Sequence, residues 1–285
     1  MNLTEANLQC EEIIKANSRS FYAAFKVLPK AKRQAVFAVY AFCRIVDDAI
    51  DVQHDVSILD GLVVELDKIQ ANQNTEHFVF IALQDAINQY NIPYLPFYEM
   101  IEGQRLDSVF IQSNTEDQFL RYCYLVAGTV GLMLLPILGH RSSVSLEPMA
   151  IHLGYAMQIT NVLRDIGEDY QMARVYLPKT SFTQYPKAID AIQHQEINSD
   201  FIQLWESWAK KAEYHYKQSF RYLSKVDHDS YLPLISAIFY YREILKVIRK
   251  AGYDSLTQRQ SVKNYLQLNL RVRTYQFFHT FKLER

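Results

Sequence analysis

The sequence has 285 residues, of which 49% are hydrophobic and 13% aromatic, so it can bury a substantial core and is not expected to be disordered. Thirty basic and thirty-one acidic residues leave a formal net charge of −1, which argues against a nucleic-acid partner. Three cysteines without C-x-x-C spacing favour a reducing compartment over a disulfide framework. No signal peptide is evident in the first twenty residues, so we expect a cytoplasmic protein.

Helical periodicity dominates the chain, and alternating strand patterns with tight-turn dipeptides between them are weak. We find no flexible linker, no low-complexity tract and no repeat of fixed period. The pattern predicts helices at Lys30–Val52, Ser57–Gln73, Thr115–Leu138, Ser145–Met172, Ser199–Lys225, Tyr231–Ala251 and Ser255–Phe281. The sequence therefore predicts an all-α protein with one domain over residues 1–285.

The first candidate binding segment is Asn17-Ser18-Arg19-Ser20, in a loop or at the start of a helix. Its hydroxyl groups and its guanidinium suit phosphate oxygens. Serine and asparagine also cap helices routinely, so this segment alone is a weak signal.

A polar stripe follows on the helix predicted at Lys30–Val52. At about 100° per residue, its members fall within an arc of about 60°; they are Tyr40, Arg44, Asp47 and Asp51. In one interpretation this is a solvated face where Arg44 pairs with Asp47 or Asp48, worth only about 0.2–0.5 kcal/mol. However, aspartates at i and i+4 destabilise a helix unless a cation lies between them. The alternative is therefore a cation site.

The stretch from Tyr122 to Gly139 contains no charged side chain and approaches the length of a membrane span. Gly128, Gly131 and Pro136 interrupt it, and no second hydrophobic segment accompanies it. We therefore expect a helix buried in a helical protein. Its first half, as far as Gly131, suits either core packing or a wall against an extended hydrocarbon.

A second polar stripe lies on the helix predicted at Ser145–Met172. Its members share an arc of about 80° on an otherwise apolar helix; they are Gln158, Asn161, Asp165 and Asp169. Magnesium takes oxygen ligands, usually one or two carboxylates together with substrate phosphates. Arg44 and Arg164 stand beside the two stripes, where they can grip a diphosphate. No His/Cys cluster has the spacing of a zinc site.

At these residues the sequence resembles the squalene and phytoene synthase family of head-to-head prenyl transferases, and within it the bacterial enzymes that make dehydrosqualene. The matching positions are Ser18-Arg19-Ser20-Phe21, Tyr40, Arg44, Asp47, Asp51, Tyr122, Ala127 to Gly131, Gln158, Asn161, Arg164, Asp165, Asp169, Arg174-Val-Tyr176-Leu-Pro178 and Tyr241. The chain departs from the family pattern near its C-terminus, where it reads Arg259-Gln-Ser-Val-Lys-Asn-Tyr265. A diphosphate contact from that segment is therefore left open.

The resemblance implies an isoprenoid-synthase-type helical bundle around a central apolar cavity. It implies magnesium ligation, with about two or three ions in the site, by Asp47, Asp51, Asn161, Asp165 and Asp169. Substrate contacts are assigned to Asn17, Ser18, Arg19, Ser20, Tyr40, Arg44, Gln158, Arg164 and Tyr241. Catalytic roles are assigned to Asp47, Asp51, Tyr122, Arg164, Asp165 and Asp169.

The activity that the resemblance implies is condensation of two farnesyl diphosphates through a cyclopropyl diphosphate, a second ionisation and loss of a proton. Phytoene synthesis from C20 substrates is the nearest rival. Three bulky residues could make the pocket too short for the longer chain; they are Phe21, Phe25 and Phe37. Squalene synthesis would need NADPH, which we do not expect. A catalytically inert assembly module is the non-enzyme alternative, against which the intact aspartates argue.

The substrates and the product of this activity are apolar, so peripheral contact with a membrane surface is compatible with a cytoplasmic protein. The oligomeric state cannot be read from the sequence.

Overall fold

The structure is a computed structural model of the chain, and it describes residues 1–139 and 143–262. Within these two ranges the regular elements are helices, and no strand is present. The helices are α1 (Leu3–Asn17), α2 (Arg19–Phe25), α3 (Lys30–Asp51), α4 (Val56–Gln70), α5 (Phe78–Tyr90), α6 (Leu95–Ser108), α7 (Glu116–Cys123), α8 (Thr129–Leu138), α9 (Glu147–Gln171), α10 (Lys179–Gln184), α11 (Ala188–His194), α12 (Ser199–Phe220) and α13 (His228–Lys250). A π-helical segment, Tyr124–Gly128, joins α7 to α8, and a 3₁₀ turn, Leu223–Lys225, follows α12.

The predicted all-α class is confirmed, and most of the predicted helices are present with small shifts at their ends. The helix predicted at Thr115–Leu138 is α7, the π-helical segment and α8 in succession. Its start is a capping box in which the Thr115 side chain accepts the backbone N–H of Gln118. Six helices were not predicted: α1, α2, α5, α6, α10 and α11. The extent of the domain over residues 1–285 stays a prediction.

The helix predicted at Ser255–Phe281 is wrong over its first residues, because residues 255–262 are not helical. The side chain of Asp254 accepts the backbone N–H groups of Leu256 and Thr257, at 3.3 and 2.9 Å, which holds a turn instead. The backbone N–H of Gly167 donates to the carbonyl of Ser255 at 2.9 Å and fixes this turn against α9. The remainder of that prediction lies outside the described residues.

Two long helices, α3 and α9, form the frame of the bundle. Helix α3 packs against α1, α5, α6 and α8, and α9 packs against α12, α8, α13 and the π-helical segment. Apolar residues such as Phe42 and Val46 on α3, and Ile159 and Leu163 on α9, are fully buried. Burial of each large side chain stabilises the fold by about 1.5–3 kcal/mol. The polar stripes of α3 and α9 are left to face the space between the helices.

A buried lysine ties α3 to the opposite end of the chain. The Lys32 ammonium donates to Asp227 at 3.0 Å, to Asp229 at 2.8 Å and to the carbonyl of Leu138 at 3.2 Å. Its side chain is only 14% exposed, so the two carboxylates compensate the cost of its burial. This contact joins the N-terminal end of α3 to the end of α8 and the start of α13.

Glycines let α9 approach the π-helical segment and α8 closely. A Cβ atom at Gly154 would lie 2.5 Å from the backbone nitrogen of Gly128, and one at Gly131 would lie 2.6 Å from the carbonyl oxygen of Ala150. Both distances are shorter than van der Waals contact, so a larger residue at either position would force the helices apart. The three backbones therefore form one tightly packed wall.

The stretch Glu116–Leu138 is long and apolar enough to cross a membrane by length and composition alone, and 39% of its most apolar window is buried. Several of its partly accessible side chains line an internal cavity, among them Val126, Val130 and Leu134. Part of its accessible surface is thus inside the protein. This agrees with the wall, one of the two alternatives left open for this stretch, and gives its hydrophobicity a role other than membrane insertion.

Candidate active site

A cavity of about 750 Å³ lies between α3, α6, the π-helical segment, α9 and α13. Apolar side chains line much of it, including Val39, Val130, Leu134 and Leu153. Every residue to which the sequence analysis assigned a metal-binding, substrate-binding or catalytic role also lines it: Asn17, Ser18, Arg19, Ser20, Tyr40, Arg44, Asp47, Asp51, Tyr122, Gln158, Asn161, Arg164, Asp165, Asp169 and Tyr241. The structure thus brings residues from distant segments to the same cavity.

The carboxylate of Asp47 on α3 faces α6. Its Oδ1 atom accepts a hydrogen bond of 2.6 Å from Nε2 of Gln104, whose side chain is 5% exposed. Burial and the nearby charge of Asp51 raise the pKa of Asp47 to about 8, and the guanidinium of Arg44 opposes that rise. Arg44 itself donates to Asp48 at 3.0 Å, which is the intrahelical pairing considered for it above.

Asp51, at the end of α3, is bridged to the segment after α9. Nη1 of Arg174 lies 2.8 Å from Oδ1 of Asp51, and the backbone N–H of Arg174 donates to the carbonyl of Asp169 at 2.9 Å. Nη2 of the same guanidinium is 3.4 Å from the backbone carbonyl of Asp107. Arg174 therefore holds the C-terminal ends of α3, α6 and α9 together around the acidic rim of the cavity.

The carboxylate of Asp165 on α9 has two arginine partners. Arg164 binds it through both Nε and Nη2, at 2.7 and 2.5 Å, and Nε of Arg259 lies 3.0 Å from the same carboxylate. Arg259 follows α13, so the segment that departs from the family pattern does reach the cavity. Burial and the charge of Asp165 raise the pKa of Asp169 to about 8.

The oxygen atoms of these side chains suit a divalent cation that would be coordinated partly by the protein and partly by a substrate. Oδ1 of Asn161 is buried without a hydrogen-bond partner, while Nδ2 lies 3.4 Å from Oε1 of Gln158. The raised pKa values of Asp47 and Asp169 come partly from crowded negative charge, which a cation would relieve. Among the described residues, no group of three or more His, Cys, Asp or Glu side chains can hold a metal ion unaided. Magnesium commonly takes few protein carboxylates and completes its shell with phosphate oxygens and water.

The segment before α2 contributes polar groups to the mouth of the cavity. The Ser18 side chain accepts the backbone N–H of Phe21 and caps α2, and Nδ2 of Asn17 donates to the carbonyl of Ile13 at 2.9 Å. Both side chains thus have local structural partners. Arg19 and Ser20, in the first turn of α2, also line the cavity.

Aromatic rings form the next part of the cavity wall. Phe21 packs edge-on to Tyr241 with ring centroids 5.4 Å apart, lies 6.3 Å from Tyr40 and stacks on Phe25 at 5.7 Å. Burial raises the pKa of both Tyr40 and Tyr241, so their phenols stay neutral. Neutral rings beside an apolar cavity can stabilise a carbocation through their faces.

Sequence reasoning missed the contribution of α6. Gln104 and Asp107 lie one turn apart on this helix, and both line the cavity. The hydroxyl of Tyr122 donates to the Asp107 carboxylate at 2.8 Å, and burial raises the pKa of Asp107 to about 6. The available signal was a pair of polar residues at i and i+3 after the apolar Met100 and Ile101, but α6 as a whole has no clean amphipathic stripe.

Comparison with known proteins agrees with this arrangement. The family model for squalene/phytoene synthase matches residues 14–266. The chain is 36% identical over 272 residues to the 4,4′-diapophytoene synthase of Staphylococcus haemolyticus, covering 93% of this chain and 95% of that one. It is 33% identical over 282 residues to the 15-cis-phytoene synthase of Synechococcus elongatus, covering 94% and 91%. A crystal structure of a dehydrosqualene synthase in complex with ligand superposes with a TM-score of 0.90 at 40% identity, covering 96% of this chain and 97% of that chain.

Proposed function

The chain belongs to the squalene/phytoene synthase family of head-to-head prenyltransferases, and we propose that it is a dehydrosqualene synthase. It would join two farnesyl diphosphates through presqualene diphosphate to 4,4′-diapophytoene, with release of diphosphate. The observation that carries the proposal is the pair of aspartate stripes on α3 and α9 that line one cavity. This arrangement offers acidic oxygen ligands at the rim and an apolar interior behind them.

The rim residues would bind and ionise the substrates. Asp47 and Asp51 on one side, and Asn161, Asp165 and Asp169 on the other, would hold magnesium. When bound, the metal supplies positive charge that stabilises the departing diphosphate. Arg44 and Arg164 would add charge-assisted hydrogen bonds to the phosphate oxygens, together with Ser18, Arg19, Ser20 and Gln158 of the mouth and of α9.

Arg164 is bound to Asp165 in the described structure, and Arg44 to Asp48. Substrate binding would therefore require each guanidinium to share its hydrogen bonds between a carboxylate and a phosphate. A planar guanidinium with five N–H donors can do so. The proximity of Arg259 to Asp165 adds a third arginine whose position suits a diphosphate.

The interior residues would protect the allylic cation after the C–O bond breaks. Tyr40, Tyr241 and Tyr122 line the cavity, and aromatic faces stabilise cations without reacting with them. Val126, Val130 and Leu134 on the opposite wall would exclude water, which would otherwise capture the cation as an alcohol.

The preference for C15 over C20 substrates is supported by aromatic residues at the cavity wall. Phe21 and Phe25 line the cavity, and Phe25 is 1% exposed, so its ring is firmly packed. Phe37 is buried to the same degree, but it packs against Tyr22 at 5.8 Å and does not line the cavity. Of the three phenylalanines considered in the sequence, two therefore remain candidates for limiting chain length.

Synthesis of phytoene from two C20 diphosphates is the second candidate, because the chain is also 33% identical to a 15-cis-phytoene synthase. The test is to incubate the purified protein and magnesium with farnesyl or geranylgeranyl diphosphate, with and without NADPH, and to identify the hydrocarbon by mass spectrometry. A C30 product that still contains the extra double bond in the presence of NADPH is expected. Squalene or a C40 product would overturn the proposed substrate or reaction, and intact substrate in every incubation would overturn the enzymatic function.

A further inference from the structure

Asp107 is a carboxylate with little access to solvent, at the C-terminal end of α6. Its exposed fraction is 6%, and it lines the cavity between the acidic rim and the aromatic wall. No part of the proposed magnesium site requires it, since both aspartate stripes are complete on α3 and α9. A buried carboxylate needs hydrogen-bond partners, and Asp107 has the hydroxyl of Tyr122, with the ring of Tyr176 stacked beside it.

The two tyrosines form one stacked unit on the carboxylate. The hydroxyl of Tyr122 donates to Oδ2 of Asp107 at 2.8 Å, and the phenol of Tyr176 is near enough to the carboxylate to oppose the rise in its pKa. The rings of Tyr122 and Tyr176 stack with centroids 5.3 Å apart and an interplanar angle of 23°. Both tyrosines line the cavity. Asp107 therefore holds the hydroxyl of Tyr122 directly, and through the stacked rings it restrains the position of both tyrosines at the cavity wall.

We propose that Asp107 is a positioning residue for the carbocation steps, acting through Tyr122 and Tyr176. The inference rests on the proposed function and adds a third helix, α6, to the two that carry the aspartate stripes. A carboxylate that accepts a hydrogen bond from a phenol draws the hydroxyl proton toward itself. The phenol oxygen and its ring become richer in electrons as a result. Electron-rich ring faces attract cations more strongly, and a fixed orientation avoids the cost of reorganising the rings at each ionisation.

Helix α6 forms a second carboxylate–tyrosine hydrogen bond, to the first residue of the π-helical segment, and this bond can act as a matched control. The hydroxyl of Tyr124 donates to Glu99 of α6 at 2.6 Å, and neither residue is among those that line the cavity. Both bonds link α6 to the chain around the π-helical segment, so both can contribute to its packing. Only the bond of Asp107 lies beside the reaction space.

The experiment compares Asp107→Asn with Glu99→Gln in the full-length chain with magnesium and the prenyl diphosphate that the wild-type protein consumes. We expect Asp107→Asn to lower kcat by about 10- to 100-fold, with KM within about twofold of wild type, because the rings act after binding. The share of consumed substrate recovered as alcohols should rise, because water captures the allylic cation more often when the rings stabilise it less. Glu99→Gln should leave kcat and this share unchanged.

A double-mutant cycle tests whether Asp107 acts through Tyr122. If it does, Asp107→Asn combined with Tyr122→Phe is no slower than the slower of the two single variants. Losses that multiply in the double variant, or an Asp107→Asn variant that matches Glu99→Gln in kcat and alcohol share, would overturn the inference.

Should Asp107→Asn fail to fold by circular dichroism, the pair Tyr122→Phe and Tyr124→Phe takes its place, since each change removes only one hydroxyl. Equal kcat and equal alcohol share in these two variants would overturn the inference in that case. A wild-type protein that consumes neither prenyl diphosphate would instead overturn the proposed function itself.

Discussion

The guanidinium of Arg174 lies 2.8 Å from the carboxylate of Asp51, although 123 positions separate the two residues in the chain. Arg174 follows directly on α9, whose last aspartate, Asp169, accepts its backbone N–H. The ends of the two aspartate stripes are therefore tied to each other by one side chain. This contact sets the distance across which a substrate diphosphate would be held.

The two aspartate stripes predict the effect of removing one carboxylate from each. Asp47→Ala and Asp165→Ala should each lower turnover by at least about 100-fold, because each removes a ligand of the proposed magnesium, whose positive charge would stabilise the leaving diphosphate. Helix content, measured by circular dichroism, should stay at the wild-type value. Wild-type turnover in either variant would remove that aspartate from the proposed magnesium site.

Gln104 is predicted to orient Asp47 for its cation. Gln104→Met keeps the approximate length of the side chain but removes the donor that lies 2.6 Å from Oδ1 of Asp47. We expect the magnesium concentration needed for half-maximal activity to rise by about 10- to 100-fold, as is usual when a partner of a metal ligand is lost. Gln112→Met is the control, because Gln112 donates to the carbonyl of Leu177 and does not line the cavity. An unchanged magnesium requirement in Gln104→Met would show that Asp47 does not depend on it.

Phe25 is predicted to limit the length of the substrate chain. Phe25→Ala should enlarge the cavity and increase the C40 to C30 product ratio when C15 and C20 diphosphates compete. Phe37→Ala is the matched control, because both rings are 1% exposed but only Phe25 lines the cavity. Each change should cost about 3–5 kcal/mol of the free energy of unfolding. A product ratio that moves equally in both variants would assign the effect to general loosening of the core.

The acidic rim predicts an unusual dependence of stability on pH. The environment in the folded protein raises the pKa values of Asp47 and Asp169 from the ordinary 3.8 to about 8, so these two groups bind more protons in the folded protein than in the unfolded chain between about pH 4 and pH 8. The contribution of these groups to the free energy of unfolding is complete below pH 4 and is lost as the pH rises through 8.

In the absence of metal, we expect the melting temperature of the wild type to fall relative to that of Asp47→Asn as the pH is raised from 5 to 8. The difference between the two proteins isolates this group from the other titratable groups, which both proteins share. Parallel curves would contradict the raised pKa. Addition of magnesium with inorganic diphosphate should reduce the difference in slope, because a cation favours the ionised carboxylates.

The two polar stripes could be predicted because each lies within one long helix, where the 3.6-residue period brings Asp47 beside Asp51 and Asp165 beside Asp169. The residues that surround the stripes in the folded protein could not be predicted. Gln104 meets Asp47 across 57 positions, and Arg259 meets Asp165 across 94, so neither pairing leaves a local pattern in the sequence.

Helix α6 shows the same limit at the level of secondary structure. It was not predicted, because Gln104, Arg105 and Asp107 break up the apolar pattern that would have marked it. Gln104 and Asp107 are stabilised by tertiary partners, which allows polar side chains on a buried face. Sequence patterns therefore fail to reveal the residues whose hydrogen-bond partners lie far away along the chain.

The π-helical segment Tyr124–Gly128 changes the direction in which the side chains after it point, relative to those before it. In an uninterrupted α-helix, residues twelve positions apart differ in direction by about 120°, so Tyr122 and Leu134 would not share a face. One extra residue in a π turn cancels about 100° of that drift, and both side chains line the cavity. Deleting a single residue here would leave the hydrophobicity of the stretch intact, yet it would rotate all of α8 by more than a quarter turn and replace the lining of the cavity.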